Sequence, residues 1–331
     1  MRILFRLSKR PPPISRLRMT CIMPVLEQKG WACTVLPIPS DHIGRVRMIR
    51  ACARHDVVVR QKKTSLHGPE LSLMRRANPN LVFDFDDAVM FHELEHGRPL
   101  RARSFAKFLR TVETCRAVVA GNEFLASFAR PICSDVHVLP TPMDTERYTP
   151  RRHAAARDGV TIGWLGTPGG LPHVAALGDV FRTVAEKVAG FCLKIVSSEF
   201  IDLPGVEVVK KRYNMEEEIA DLQSFDVGIM PLQDNLWTRG KCGFKMLQYV
   251  GVGVPAIASP VGIDVELIRQ GETGFLAADA EAWQDALLTL AVDTNLRHRM
   301  GTAGRRRVVE RFSQARHNTA YARLLNKVAS A

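Results

Sequence analysis

Short apolar runs rich in β-branched residues recur from one end of the chain to the other, with helix-length stretches between most of them. In the first half they read RILF (2–5), CTVL (33–36), DVVVR (56–60), LVFDF (81–85), RAVVAG (116–121) and VHVLP (136–140). Unbroken runs of this length suit strands buried on both faces. Such strands form parallel sheets, and each parallel neighbour needs a crossover, usually a helix. Helices are expected over 16–29, 44–54 and 101–114. The alternation restarts with VTIGWLG (160–166), CLKIVS (192–197), VEVVK (206–210), DVGIMPL (226–232), PAIAS (255–259) and GFLA (274–277). Helices are expected there over 171–189, 215–223, 280–292 and 295–312, with a last one running to Lys327.

This predicts an α/β protein of two doubly wound, Rossmann-like domains, with ligands at the carboxyl ends of the strands. The polar, aperiodic TPRRHAAARDG (149–159) marks the join. The expected domains are 1–152 and 159–312, with a C-terminal helix at 313–331 packing back on the first domain. A chain of 331 residues suits two domains of ordinary size.

Charge is uneven. Residues 1–150 carry 24 Lys and Arg against 14 Asp and Glu, and the remaining chain is nearly balanced at 22 against 20. A basic front half favours phosphate-bearing partners or an anionic membrane surface. Aromatic residues do not interleave with the bases, and no nucleic-acid-binding signature is present, so nucleic acid is not expected. No apolar run reaches the twenty residues of a membrane span. The opening MRILFRLSKRPPP is read as a first core strand rather than a leader, because only Ile3, Leu4 and Phe5 precede charges and prolines. The seven cysteines are scattered and never spaced C-x-x-C, as expected of reduced cytosolic thiols.

Four stretches carry chemistry. RGKCGFKMLQYVGVGVP (239–255) lies between two strand candidates. A helix starting near Cys242 or Gly243 would put Lys241, Lys245 and Gln248 on one face and Met246, Leu247 and Val250 on the other. That face is either solvated or an anion site built on the first-turn amides and the helix dipole. GWLGTPGG (163–170) is a glycine turn directly after a strand, suited to cradling phosphate or simply to turning. FDFDDAV (83–89) clusters Asp84, Asp86 and Asp87 at a strand end, where carboxylates bind metal, act as bases or cap a helix. HELEH (92–96) matches the zinc-hydrolase pattern through His92, Glu93 and His96, with Glu113 or Glu123 as a third ligand. Gly97, Arg98 and Pro99 end any helix at the second histidine, so a cleft loop is the preferred reading and no metal is expected. Arg305, Arg306 and Arg307 are read as solvent-facing charges late in a helix.

The order of these stretches resembles GT-B glycosyltransferases of family 4, the group 1 type. The matching segments are GWLGTPGG (163–170), FDVGIMPLQDNLWTRGKCGFKMLQYVGVGVPAIASPVG (225–262), GETGFLA (271–277) and DTNLRHRMGTAGRRRVVERFS (293–313). More loosely, DVVVRQK (56–62), LVFDFDDAV (81–89), AGNEFLASFA (120–129) and VLPTPMDTERY (138–148) follow the acceptor domain. The resemblance implies two facing Rossmann-like domains, an N-terminal one for the acceptor and a C-terminal one for a nucleotide-sugar. It implies metal-independent transfer with retention and no cofactor beyond the donor. Gly166 and Thr167 would flank the diphosphate, Lys241 and Lys245 would neutralise the leaving group, and Gly243 and Phe244 would offer amides. The family's glutamate pair falls on Gly240 and Gln248, so a glutamine stands at the ribose-binding position and no carboxylate at the other. The glycine-rich loop after the first strand reads RLSKRPPPISRLR, where Ser15, Arg16 and Arg18 would replace glycine amides. Arg16, Arg18, Lys62, Asp86, Asp87 and His92 are the acceptor or cleft candidates.

The expected activity is sugar transfer from a UDP- or GDP-sugar to a cell-surface glycan or lipid-linked acceptor in polysaccharide biosynthesis. The expected location is the cytoplasm, peripheral at the membrane face, held by about 1 kcal/mol per surface-facing basic residue. The alternatives are a catalytically silent GT-B protein that binds a nucleotide-sugar or a partner, and, remotely, the zinc hydrolase.

Overall fold

A computed structural model describes residues 1–7, 16–39, 41–62, 68–91, 102–151 and 159–330. By internal contact the chain forms two units. The first comprises Met1–Pro142, Asn235–Cys242 and Gln314–Ala331; the second comprises Met143–Asp234 and Gly243–Ser313. Each holds one six-stranded parallel sheet.

In the first unit the strands are β1 (Arg2–Leu7), β2 (Ala32–Pro37), β3 (Val57–Gln61), β4 (Leu81–Phe85), β5 (Ala117–Ala120) and β6 (Val136–Val138). Their order is β2-β1-β3-β4-β5-β6. The winding direction reverses between β1 and β3, the crevice where such sheets hold ligands. Alternate side chains feed two cores. Ile3, Phe5, Val57, Val59, Val82 and Val119 enter one, where Tyr321, Leu324, Leu325 and Val328 of the C-terminal helix Gln314–Ser330 cover them. Leu4, Val58, Leu81, Phe83, Phe85 and Val118 enter the other.

In the second unit the strands are β7 (Val160–Leu165), β8 (Phe191–Ser197), β9 (Glu207–Arg212), β10 (Val227–Met230), β11 (Ala256–Ala258) and β12 (Gly274–Leu276), in the order β12-β11-β10-β7-β8-β9. The reversal lies between β7 and β10. Two glycines on these strands make room for aromatic rings behind them. A Cβ on Gly163 would sit 1.9 Å from the Phe225 ring, and one on Gly228 would sit 2.4 Å from the Tyr249 ring. Tyr249 returns a hydrogen bond, accepting from the Leu165 amide at 2.9 Å.

The expected strands all form, but several helices differ. The 16–29 stretch splits into a π turn, Arg16–Thr20, and a helix, Met23–Gln28. Pro24 lies within that helix's first two positions, where the missing N–H costs least. The 171–189 stretch divides into Leu171–Ala175 and Gly178–Lys187. Helices Gly68–Ala77 and Glu123–Ala129 were not anticipated. Asn122 caps the second of these, accepting from the Leu125 amide at 2.8 Å. Among the described residues, no helix is long and apolar enough to cross a membrane.

Candidate functional site

In the second unit, the chain leaves β7 at Leu165, beside the reversal point, and turns at once through Gly166 and Thr167. The Gly166 amide donates to Val196 O at 3.0 Å, and the Gly170 amide closes the turn onto Thr167 O at 2.9 Å. Gly166 is required here by its neighbours. A Cβ would meet Lys245 Nζ at 2.4 Å and the Trp164 ring at 2.5 Å. Lys245 stands over the buried Trp164 indole, its Nζ 4.7 Å from the ring centroid. Thr167 is exposed beside them.

Lys245 comes from the helix Phe244–Gly251, which starts at Gly243 with φ +63. That left-handed conformation favours glycine, and a Cβ would also collide with Ile263 and Leu267. No side chain caps this end, and its first-turn amides have no intrahelical acceptor. The glycine turn, the lysine and the helix start thus form an arrangement suited to an anion.

The expected lysine pair is corrected here. Lys241 precedes the helix and belongs to the Asn235–Cys242 strip of the first unit, so it does not share a helical face with Lys245 and Gln248. Asn122 Nδ2 donates to the carbonyls of Arg239 and Lys241, at 3.1 and 3.2 Å. Gln248 also differs from the expected open polar face. It is buried, and its Nε2 donates to Tyr148 Oη at 3.3 Å. Tyr148 in turn donates to Glu218 Oε1 at 2.5 Å, and Tyr213 donates to Glu218 Oε2 at 2.7 Å. Burial, followed by the Glu218 carboxylate, raises the Tyr148 phenol above its ordinary range. Phe244 packs edge-on against Tyr148.

Gly240, at the position of the absent carboxylate, has no room for any side chain. A Cβ would lie 2.5 Å from Ala88 Cβ and 3.0 Å from the Ala88 amide nitrogen.

In the first unit, Arg18 is fully buried and forks onto Asp84, Nε to Oδ1 and Nη2 to Oδ2, both at 3.0 Å. It also donates to Leu139 O at 2.8 Å. Arg18 is therefore a structural ion-pair partner rather than an acceptor contact, a correction of the expected role. Its neighbour His317 is buried; burial, then the Arg18 charge, pushes its pKa down to about 3. Asp86 is also buried, 3.5 Å from Lys62 Nζ. Lys62 bridges to the more open Asp87 as well. Burial opposes the Lys62 charge, but Asp86 and Asp87 together raise its pKa. Lys62 adopts φ +58, the one positive φ outside glycine among the described residues. Lys62, Asp86 and Asp87 are thus brought together at the ends of β3 and β4. Arg16 lies in the π turn, its side chain outside the described positions, and His92, with the rest of HELEH, lies outside the described residues. Among the described residues no group of three or more potential ligands could hold a metal.

Sequence reasoning missed Trp164, Tyr148, Glu218 and Asn122, whose roles depend on long-range contacts that carry no local pattern. It also misread Arg305 as solvent-facing. Its guanidinium donates to the carbonyls of Thr145, Tyr148 and Gly251 at 2.5–2.6 Å.

A shallow polar depression lined by Met1, His55, Asp56, Asn78 and Asn80 also opens on the first unit. It lies at the amino ends of the strands, away from the end where parallel sheets carry ligands.

Residues 173–293 match the family model described as Glycosyl transferases group 1. Alpha-maltose-1-phosphate synthase from Mycobacterium tuberculosis is 24% identical over 283 residues, 71% of each chain. The structure of Anabaena HepE, in complex with UDP and glucose, aligns with a TM-score of 0.69 at 14% identity, covering 99% of this chain and 100% of that one. Sucrose-phosphate synthase from Thermosynechococcus elongatus gives 0.73 at 12% identity, covering 100% and 99%. At such identities the structural likeness is one of fold. The two doubly wound units thus have the GT-B fold of these structures, and the segment 173–293 is similar to the group 1 glycosyltransferases.

Proposed function

We propose that the protein transfers a sugar, with retention, from a nucleotide-diphosphate sugar to a glycan or lipid-linked acceptor. The observation that carries this is the grouping of Lys245, Trp164 and the Gly166–Thr167 turn at the β7–β10 reversal, beside the helix start at Gly243 and Phe244. In this reading the diphosphate lies on the first-turn amides. The Lys245 ammonium offsets the charge that builds on the leaving group, the main electrostatic demand of the step. Holding the lysine on an indole face positions the cation without neutralising it. Gln248 acts through Tyr148 and Glu218, orienting the wall of the nucleoside pocket rather than standing open to solvent. No metal takes part in this scheme. The acceptor binds to the first unit near Lys62 and Asp87, and the basic charge of that half favours a peripheral, cytoplasmic-face location.

A second reading, a protein that binds nucleotide-sugar without turnover, is favoured by one observation. Gly240 is sealed against Ala88, so the usual carboxylate has no substitute at that position. A panel of UDP- and GDP-sugars, assayed with and without chelator for release of nucleoside diphosphate, decides between the two. Release that survives chelation supports the transferase. Binding without release supports the silent protein, and absence of both removes the donor site.

A further inference from the structure

On the helix His42–Cys52, the residues Ile43, Val46, Arg47 and Arg50 follow the i, i+3, i+4, i+7 spacing of a single face. Met48 and Cys52 lie on the opposite face, buried in the same core as Leu4 and Val58 of the sheet. The face of Ile43 therefore points out of the fold, where a helix is ordinarily polar. Here it is half apolar. Ile43 is 67% exposed and Val46 49%, and Leu73, on the neighbouring helix Gly68–Ala77, is 48% exposed. Among the described residues these are the three most exposed large apolar side chains of the first unit. Apolar residues exposed singly need no explanation, but these three share one surface. The two helices pack side by side, and Arg45 Nε stands 4.0 Å from Glu70 Oε2 between them. Leu73 follows Glu70 by three positions, so it turns toward the first helix. Arg75, on the other flank of the second helix, donates to Glu113 O at 2.7 Å.

The polar part of this surface carries one sign. Arg47, Arg50 and Arg76 are exposed on it, with Arg54 just past the end of the first helix. Among the described residues no carboxylate pairs with any of these four. The first helix contains no Asp or Glu, and its N-cap, Asp41, accepts from the Gly44 amide at 2.7 Å. The one carboxylate of the second helix, Glu70, is buried. Two neighbouring helix faces thus combine branched apolar side chains with uncompensated arginines.

We propose that this surface docks the first unit on an anionic lipid bilayer, with Ile43, Val46 and Leu73 entering the interface and the arginines held at the headgroup phosphates. A helix lying in the plane of a bilayer binds through buried apolar area and attraction to anionic lipid together, and both are present on this face. The arginine stems are apolar enough to lie along the lipid while their guanidiniums reach the phosphates. A protein interface would instead centre on a patch depleted of charge. Here arginines alternate with the apolar residues along the helix itself, Val46 standing next to Arg47 and one turn before Arg50. The docking makes specific the peripheral location of the preceding reading, but its chemistry stands on the first unit alone.

The test is co-sedimentation of the full-length protein with vesicles of phosphatidylglycerol and phosphatidylcholine, set against vesicles of phosphatidylcholine alone. Wild type is expected to bind the anionic vesicles and not the neutral ones. Arg47→Ala with Arg50→Ala should weaken that binding about twentyfold or more, at about fivefold for each arginine. Ile43→Ser with Val46→Ser should weaken it about fivefold or more. The serine pair, left with charge alone, should also be released by salt that wild type withstands. All four positions are exposed, so each pair is expected to unfold near the wild-type midpoint. Absence of binding to the anionic vesicles overturns the proposal, and so does equal binding to neutral ones. An arginine pair that binds as wild type does places the contact elsewhere and overturns it. A serine pair that binds as wild type does overturns it too, since charge alone then holds the protein. Self-association of wild type that both pairs abolish marks a second copy of the chain as the occupant, again in place of the bilayer. UDP titration of the same preparations should be unaffected by either pair. Failure of UDP to bind wild type sinks the donor reading and leaves this face standing, and failure to bind vesicles while UDP binds does the reverse.

Discussion

Lys245 Nζ stands 4.7 Å above the centre of the Trp164 ring, in the space left by a missing side chain at Gly166. Lys245→Ala is expected to weaken UDP or GDP binding about tenfold or more, at about 1.5–3 kcal/mol for one charge-assisted contact. Lys241→Ala, which alters a residue outside that helix, is expected to cost less. Calorimetry of the two variants checks the ranking, and equal losses would restore the paired-lysine reading. Gly166→Ala should mimic the Lys245 loss, because its methyl group displaces the ammonium.

Restoring a glutamate at position 240 is expected to fail. Gly240→Glu must push Ala88 aside, since even a Cβ lies 2.5 Å from its methyl group. Overpacking of this kind costs about 1–3 kcal/mol. The expected result is a lower unfolding midpoint and no gain in sugar transfer. A variant that gains activity at unchanged stability would show that the loop has another resting place.

Acid should destabilise the first unit through His317. Its folded pKa of about 3 lies below the ordinary histidine value of 6.5, so the unfolded chain binds the proton first. The stability this contributes is complete above about pH 6.5 and is lost as pH falls toward 3, at up to about 1.4 kcal/mol per pH unit. His317→Asn should flatten that part of the pH profile in denaturant titrations. An unchanged slope would place the proton uptake elsewhere.

At Lys62, backbone and side chain make separate demands. A non-glycine residue at φ +58 costs roughly 1 kcal/mol. Lys62→Gly should therefore be more stable than Lys62→Ala by about 1 kcal/mol, while both raise the KM for acceptor. Equal stability would mean that the strain is relieved by other residues, and an unchanged KM would remove Lys62 from the acceptor site.

The sheets were legible because most strands write a short apolar run and helix-length stretches separate them, the pattern of parallel pairing. The helices were less so. Pro24 ends one pattern, and the short Glu123–Ala129 helix is carried by a cap on Asn122 more than by periodicity. Within the candidate site, Gly166, Gly243 and Lys245 could be read from a glycine turn and a helix start. Lys241 could not, because spacing of i and i+4 implies one face only if the helix spans both residues, and Gly243 starts it later. Arg18 was beyond local reasoning too: whether an arginine meets a ligand or an aspartate 66 positions away is decided by the fold.

The strip Asn235–Cys242 folds with the first unit although the chain on either side of it belongs to the second. The two units are therefore not interchangeable cassettes. A graft of Met143–Ser313 onto another first unit would bring along a strip fitted to Asn122 and Ala88, residues that stay behind. Recombination between relatives should succeed only when Asn235–Cys242 is inherited with the first unit, so such proteins would diverge by point substitution more readily than by exchange of whole halves.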